Sequence, residues 1–314
     1  MKNRVEELDF LKCFFILLMI TFHLVFIGEK YPYVKEVIYT FHVPAFFVIS
    51  GYLMRTDKTI LQFLLSMFWM LVPYIIMESG YILMCSCLPV REHIETLSWQ
   101  VFADKLLLHP LGPYWYLHTL IVCGVTYYVS FFRFSGGNIL TRLLISSVFF
   151  TAFAFYWGIV SPSSVMYFMI GAIIRQSSVE FMSFFRSSWL SVLFFALMII
   201  FPENLDRFTV SGLIITYLAI SILLSLYKIS PSFFRKYCCY IGRHTLVLLV
   251  FSPIFTFAVK PLVQVLSFEP TGILFMFLSL AINVYGCFLI AHIMDKIRIT
   301  PFIFGKENII EPIH

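Results

Sequence analysis

The sequence predicts an all-α integral membrane protein, a bundle of about ten transmembrane helices with both termini in the cytoplasm. Three observations lead there. Of 314 residues, 60% are hydrophobic and only 12% charged, and the mean hydropathy is +0.90. A soluble domain carries roughly 25% charge, so this chain could not build a wettable surface. The apolar residues come in runs near the roughly 20 residues that cross a bilayer as a helix. Glycine and proline interrupt those runs, which suits helices better than the alternating ~10-residue strands of a membrane barrel. The basic residues, finally, are unevenly shared between alternate loops, as the positive-inside rule requires. The same composition excludes a soluble enzyme and a disordered chain. Seven scattered cysteines exclude a disulfide scaffold.

Ten candidate spans follow in order: Phe10–Ile27, Ile38–Met54, Ile60–Cys87, Tyr114–Phe132, Leu143–Ile159, Ser161–Ile174, Trp189–Phe201, Val210–Tyr227, Thr245–Val259 and Thr271–Ile293. The first is read as retained, being too long for a signal-peptide core and lacking a cleavage site after Ile27. The third contains Pro73, which predicts a kink. The sixth and seventh are short. With ten spans, 15 of the 22 Lys and Arg residues fall in loops on the side of the termini, six fall opposite, and Lys12 lies inside the first span. The loop Lys228–Arg243 is the most basic, and Gly136-Gly137 reads as a turn. The stretch Leu88–Pro113 has enough apolar positions for a short interfacial helix. No repeat or linker divides the chain, so residues 1–314 form a single domain. The basic residues are spread over short loops, which gives no nucleic-acid footprint.

Ionisable groups inside a span are costly and face a cavity or one another. Lys12 and His23 lie eleven positions apart in the first span, within roughly 20° of one helix face and ~16 Å apart along the axis. Snorkelling of Lys12 and an interface role for His23 is the plain structural alternative. His42 opens the second span at similar depth, in the string Phe41-His42-Val43-Pro44-Ala45-Phe46-Phe47-Val48-Ile49-Ser50-Gly51-Tyr52-Leu53. Ser50 and Gly51 are small residues that allow close helix approach, and no nucleophile elbow surrounds the serine. Glu78, just after Pro73, either pairs with a histidine or sits near the outer interface. Tyr114-Trp115-Tyr116-Leu117 before His118 fits an aromatic belt. Asn283 and His292 read as contacts between helices. No Cys-x-x-Cys or His-Glu-x-x-His pattern occurs, so no metal site is expected.

Leu8-Asp9-Phe10-Leu11-Lys12 followed by His23 resembles the opening of the membrane-bound acyltransferase-3 family. Phe41-His42-x-Pro44-x-Phe46-Phe47-x-x-Ser50-Gly51-Tyr52-Leu53 resembles that family's second-helix motif. Tyr114-Trp115-Tyr116-Leu117 and Ile241-Gly242-Arg243-His244-Thr245-Leu246 resemble two further elements. The resemblance spans essentially the whole chain. It implies a membrane acyltransferase that moves an acyl group, most often acetyl from acetyl-CoA, to a hydroxyl of a sugar or cell-surface polysaccharide. The setting it implies is the bacterial cytoplasmic membrane, with acyl-CoA as substrate and no bound cofactor. His23 is then the base or acyl relay, and Lys12 attracts the anionic donor. His42, Ser50, Gly51, Tyr52, Glu78 and Trp115 are the candidates for the surrounding substrate region. The sequence departs from the family in two places. Ser66–Val72, before Pro73, has no basic residue, and Leu249 and Ser252 stand in place of a late Tyr-x-x-His run. Arg55, Lys58 or the loop Lys228–Arg243 are the alternative sources of donor-binding charge. A glycan-precursor transporter and an inactive family member are the competing readings.

Overall fold

A computed structural model describes residues 5–88, 92–133 and 138–311. Lys2, Arg4, Arg91, Gly136, Gly137 and His314 lie outside the described residues. Helices make up 78% of the structure, and no strand occurs among the described residues. They run α1 (Glu6–His23), α2 (Val25–Lys30), α3 (Pro32–Leu53), α4 (Ile60–Cys87), α5 (Trp99–Leu107), α6 (Trp115–Arg133), α7 (Ile139–Thr151) and α8 (Pro162–Gln176). There follow α9 (Phe181–Phe184), α10 (Leu190–Ile199), α11 (Val210–Ile229), α12 (Ser232–Arg243), α13 (Thr245–Ala258), α14 (Leu262–Val265), α15 (Ile273–Lys296) and α16 (Thr300–Phe304).

Every apolar segment read from the sequence is largely helical, but among the described residues only six helices are long and apolar enough to cross a membrane, or up to seven if a bent pair counts as one span. The shortfall has physical causes. Helix α1 carries Glu6, Glu7, Asp9 and Lys12 in its first two turns. Helices α8 and α10 have 15 and 10 residues; at 1.5 Å per residue they reach about 22 and 15 Å, against a hydrocarbon core of about 30 Å. Helix α13 joins α12 at a 78° bend.

Two local expectations change. The first span is not one helix: α1 ends at His23, Leu24 turns extended (ψ 102°), and α2 starts again at Val25. The basic stretch Lys228–Arg243 is mostly helix rather than loop, because Cys238, Cys239 and Gly242 give α12 a face that buries.

Helix α3 is the central element, with 61% of its apolar window buried, against 11% for the window running from α7 through Tyr156. It crosses α8 at a pair of glycines. A Cβ on Gly51 would sit 2.0 Å from the Phe168 carbonyl oxygen, and one on Gly171 would sit 2.0 Å from that of Val48. The crossing therefore requires glycine on both sides, the close approach that small residues give membrane helices. Around it Phe15, Phe47, Tyr127, Phe150 and Phe168 form the buried core. A second close crossing joins α1 to α12 at Gly242, where a Cβ would lie 1.7 Å from the Asp9 carbonyl oxygen.

Candidate active site

Helix α1 carries the two sequence-predicted site residues at opposite ends. At its C-terminal end His23 lines a cavity of about 840 Å³, within the size range of small-molecule sites. The break at Leu24 lies at the edge of this space, and Leu24, Val25 and Phe26 line it with His23. The His23 Nδ1 is 2.7 Å from the Met19 carbonyl oxygen. A carbonyl only accepts, so this bond assigns the proton to Nδ1 and leaves the Nε2 lone pair to the cavity. The side chain is exposed there.

Beyond α1 and α2, the walls draw on several parts of the chain. The start of α3 gives Lys35 and Tyr39, α4 gives Ile76, Met77 and Tyr81, the turn into α6 gives Tyr114, and α13 gives Ser252 and Thr256. Glu29, Glu92 and Lys260 add charges of both signs. The Glu92 carboxylate accepts from the Gly112 amide at 2.8 Å. The sequence reading missed Tyr39, Tyr81 and Glu92. Tyr39 was legible in principle, one helical turn before His42. Glu92 was not, because it reaches the cavity only through the fold of the 88–113 stretch.

At the other end of α1, Lys12 Nζ bonds Asp9 at 2.7 Å. Asp9 is 2% exposed and its other oxygen lies 3.7 Å from Arg243 Nε on α12. One buried carboxylate thus holds two cations from helices 231 positions apart in sequence. Two other candidate cations, Arg55 and Lys58, are engaged elsewhere. Arg55 grips Asp57 through two bonds of 2.9 and 2.7 Å, which holds its guanidinium above its ordinary pKa. Lys58 donates to Ser66 at 2.7 Å. Burial lowers the Lys58 ammonium below its ordinary value, with Arg55 and Asp57 as lesser influences.

The other candidates do not line the cavity. His42 is 1% exposed, its Nδ1 donates to the Ile38 carbonyl at 2.7 Å, and its Nε2 has no partner among the described residues. It shares a neighbour with His23, the Tyr39 ring, whose centroid lies 6.4 Å from His23 and 5.1 Å from His42. Ser50 is hydrogen-bonded to Tyr116 at 3.0 Å, and Gly51 makes the α3–α8 crossing. The Tyr52 hydroxyl accepts from the Phe181 amide. Trp115 packs beside Phe47 inside the bundle, not in an exposed belt. Glu78 is fully buried, and its partner is the Leu111 amide at 2.6 Å rather than a histidine. His118 donates Nε2–H to the Leu107 carbonyl, and Asn283 accepts from Cys287 within its own helix. No group of three or more His, Cys, Asp or Glu side chains placed to hold a metal occurs among the described residues.

Helix α1 thus carries a histidine at a cavity and, further along, a cluster of a carboxylate and two cations. A family model described as an acyltransferase domain, that of the acyltransferase-3 family, matches residues 5–292. The chain belongs to the acyltransferase-3 family. No curated protein and no solved structure matches it significantly. The match takes in both ends of α1, the α3–α8 crossing, α12 and the cavity of this acyltransferase.

Proposed function

We propose that the protein is an O-acyltransferase of the bacterial cytoplasmic membrane. It moves an acyl group, acetyl above all, from acyl-CoA to a hydroxyl of a sugar or cell-surface polysaccharide. The observation that carries this reading is the Nδ1–H bond from His23 to Met19, which frees Nε2 towards the cavity. A sugar hydroxyl is a poor nucleophile until its proton is removed during attack. His23 Nε2 takes that proton as the acceptor oxygen adds to the thioester carbonyl. The carbon–sulfur bond then breaks, and the CoA thiolate leaves with the proton returned by the imidazolium. Positioned general-base catalysis of this kind is worth ~10²–10⁴-fold in rate.

The two ends of α1 divide the work. Lys12 attracts the phosphates of the donor, while the acyl end reaches the cavity through the pantetheine arm. The ~16 Å between the two residues along α1 separates charge recognition from chemistry. Tyr39 and Tyr81 offer ring faces to the acceptor, with the Tyr39 hydroxyl donated to the Phe22 carbonyl, and Glu92 offers a carboxylate. The 15-to-6 bias of basic residues supports the fuller topology: ten spans, both termini cytoplasmic, Lys12 near the inner face and His23 toward the outer one. No bound cofactor or metal enters this chemistry, and the partners are the donor, the glycan acceptor and the bilayer.

The test is label transfer. Purified protein in detergent is given acetyl-CoA labelled in the acetyl group, with surface glycans from cells lacking the gene. The reading expects alkali-labile label on the glycan and release of free CoA. Glycan esters that persist in the deletion strain, together with no label transfer in the purified system, would refute it.

A further inference from the structure

We infer that Arg243 is the second cation of the donor site and that Asp9 is the residue that positions it beside Lys12. This rests on the acyl-CoA reading above and extends it to a residue on another helix. Three observations carry it. The first is the shared carboxylate: Asp9 touches Lys12 at 2.7 Å and Arg243 at 3.7 Å, leaving one net positive charge on the three side chains. Glu6, one turn earlier, is bonded to Tyr227. The second is an unspent donor. Arg243 Nε is buried and without a hydrogen-bond partner, because 3.7 Å to Asp9 is an ionic distance and not a bond. The third is access: the Lys12 and Arg243 side chains remain 17% and 22% exposed while Asp9 is 4% exposed. The cations are open to an anion and the carboxylate behind them is not.

Two alternatives for this charge, Arg55 and Lys58, are engaged elsewhere. Arg55 closes both its bonds on Asp57, and Lys58 is tied to Ser66. Arg235, also on α12, lies over the Tyr227 ring, 5.2 Å from its centroid. The Gly242 crossing then explains how Arg243 comes to α1. The residue before it allows α12 to touch the Asp9 backbone, so the next side chain reaches the Asp9 carboxylate. A guanidinium beside an ammonium suits the donor's phosphates, since arginine offers a planar fork and lysine a point charge.

The experiment compares two donors with the same thioester: acetyl-CoA, and S-acetylpantetheine, which has no phosphate. R243Q should raise the KM for acetyl-CoA roughly tenfold, equivalent to about 1.4 kcal/mol, with kcat little changed. Its KM for S-acetylpantetheine should stay at the wild-type value. D9N should show the same selectivity, and D9N combined with R243Q should cost less than the product of the single effects, because both remove one contact. R243K should give a smaller rise of the same selectivity, and it carries the test if R243Q does not fold. A purely structural role would lower stability and impair both donors alike; equal effects on the two donors, or none, overturn the assignment. Wild-type protein that uses neither donor refutes the acyl-CoA reading itself, and that outcome is distinct from equal effects in the variants.

Discussion

Substituting Gly242 by alanine puts the α1–α12 crossing under direct load. The new methyl would lie 1.7 Å from the Asp9 carbonyl oxygen and 2.6 Å from its carbonyl carbon. An ordinary carbon-to-oxygen contact is about 3.3 Å, so the helices must separate by about 1.6 Å. Both surfaces are helix backbone, and no flexible side chain can absorb the strain. Overpacking of this kind costs about 1–3 kcal/mol. The shift also carries Arg243 from 3.7 Å to about 5.3 Å from Asp9. With an effective dielectric of about 20, the attraction falls from about 4.5 to about 3.1 kcal/mol. Solvent screening of the partly exposed guanidinium reduces that loss to about 1 kcal/mol of stability, and the displaced Arg243 no longer stands beside Lys12 where the donor site needs it. The assay is thermal unfolding in detergent together with the KM for acetyl-CoA. Gly242→Ala should lower the unfolding temperature by several degrees and raise the donor KM. A variant with wild-type values of both would refute the close crossing and the placement of Arg243 that depends on it.

Two other outcomes follow from the same structure. Lys12→Ala should raise the KM for acetyl-CoA about tenfold, whereas Lys12→Arg should stay near wild type because a positive charge is what the site needs. If arginine fails as badly as alanine, a lysine-specific role replaces this one. Reporter fusions at the C-terminus and within the 88–113 stretch should give signals from opposite sides of the membrane, and same-side signals would contradict the ten-span topology.

The helices were legible in the sequence because the bilayer imposes a simple rule, long apolar runs between basic loops. Their ends were less so. Phe10–Ile27 is apolar apart from Lys12, Thr21 and His23 and has no glycine or proline before Gly28, so no local breaker marks the turn at Leu24 that exposes His23. The packing reading of Gly51 was available from composition, but its partner Gly171 is set by tertiary contact. Lys12 and His23 stood out as ionisable groups on one face of an apolar span, and the family resemblance gave them their roles. Asp9 stood in the quoted motif without being weighed as a partner for Lys12, although a spacing of three places the two on one helix face. Arg243 could not be paired with either, since the contact spans the length of the chain. Glu78 shows the converse: a buried carboxylate was recognised as needing a partner, and that partner is a backbone amide no sequence pattern announces.

His23 tests the central claim most directly. Purified His23→Ala should fold, insert and bind donor as the wild type does, yet transfer labelled acetyl to the glycan acceptor at least ~10²-fold more slowly. His118→Ala and His292→Ala should lose far less, because His118 is tied to the Leu107 carbonyl and neither residue lines the cavity. Unfolding temperatures measured in parallel separate chemistry from stability. Near-normal transfer by folded His23→Ala, or a loss that tracks misfolding alone, would contradict the account and leave His23 a structural residue at the end of α1.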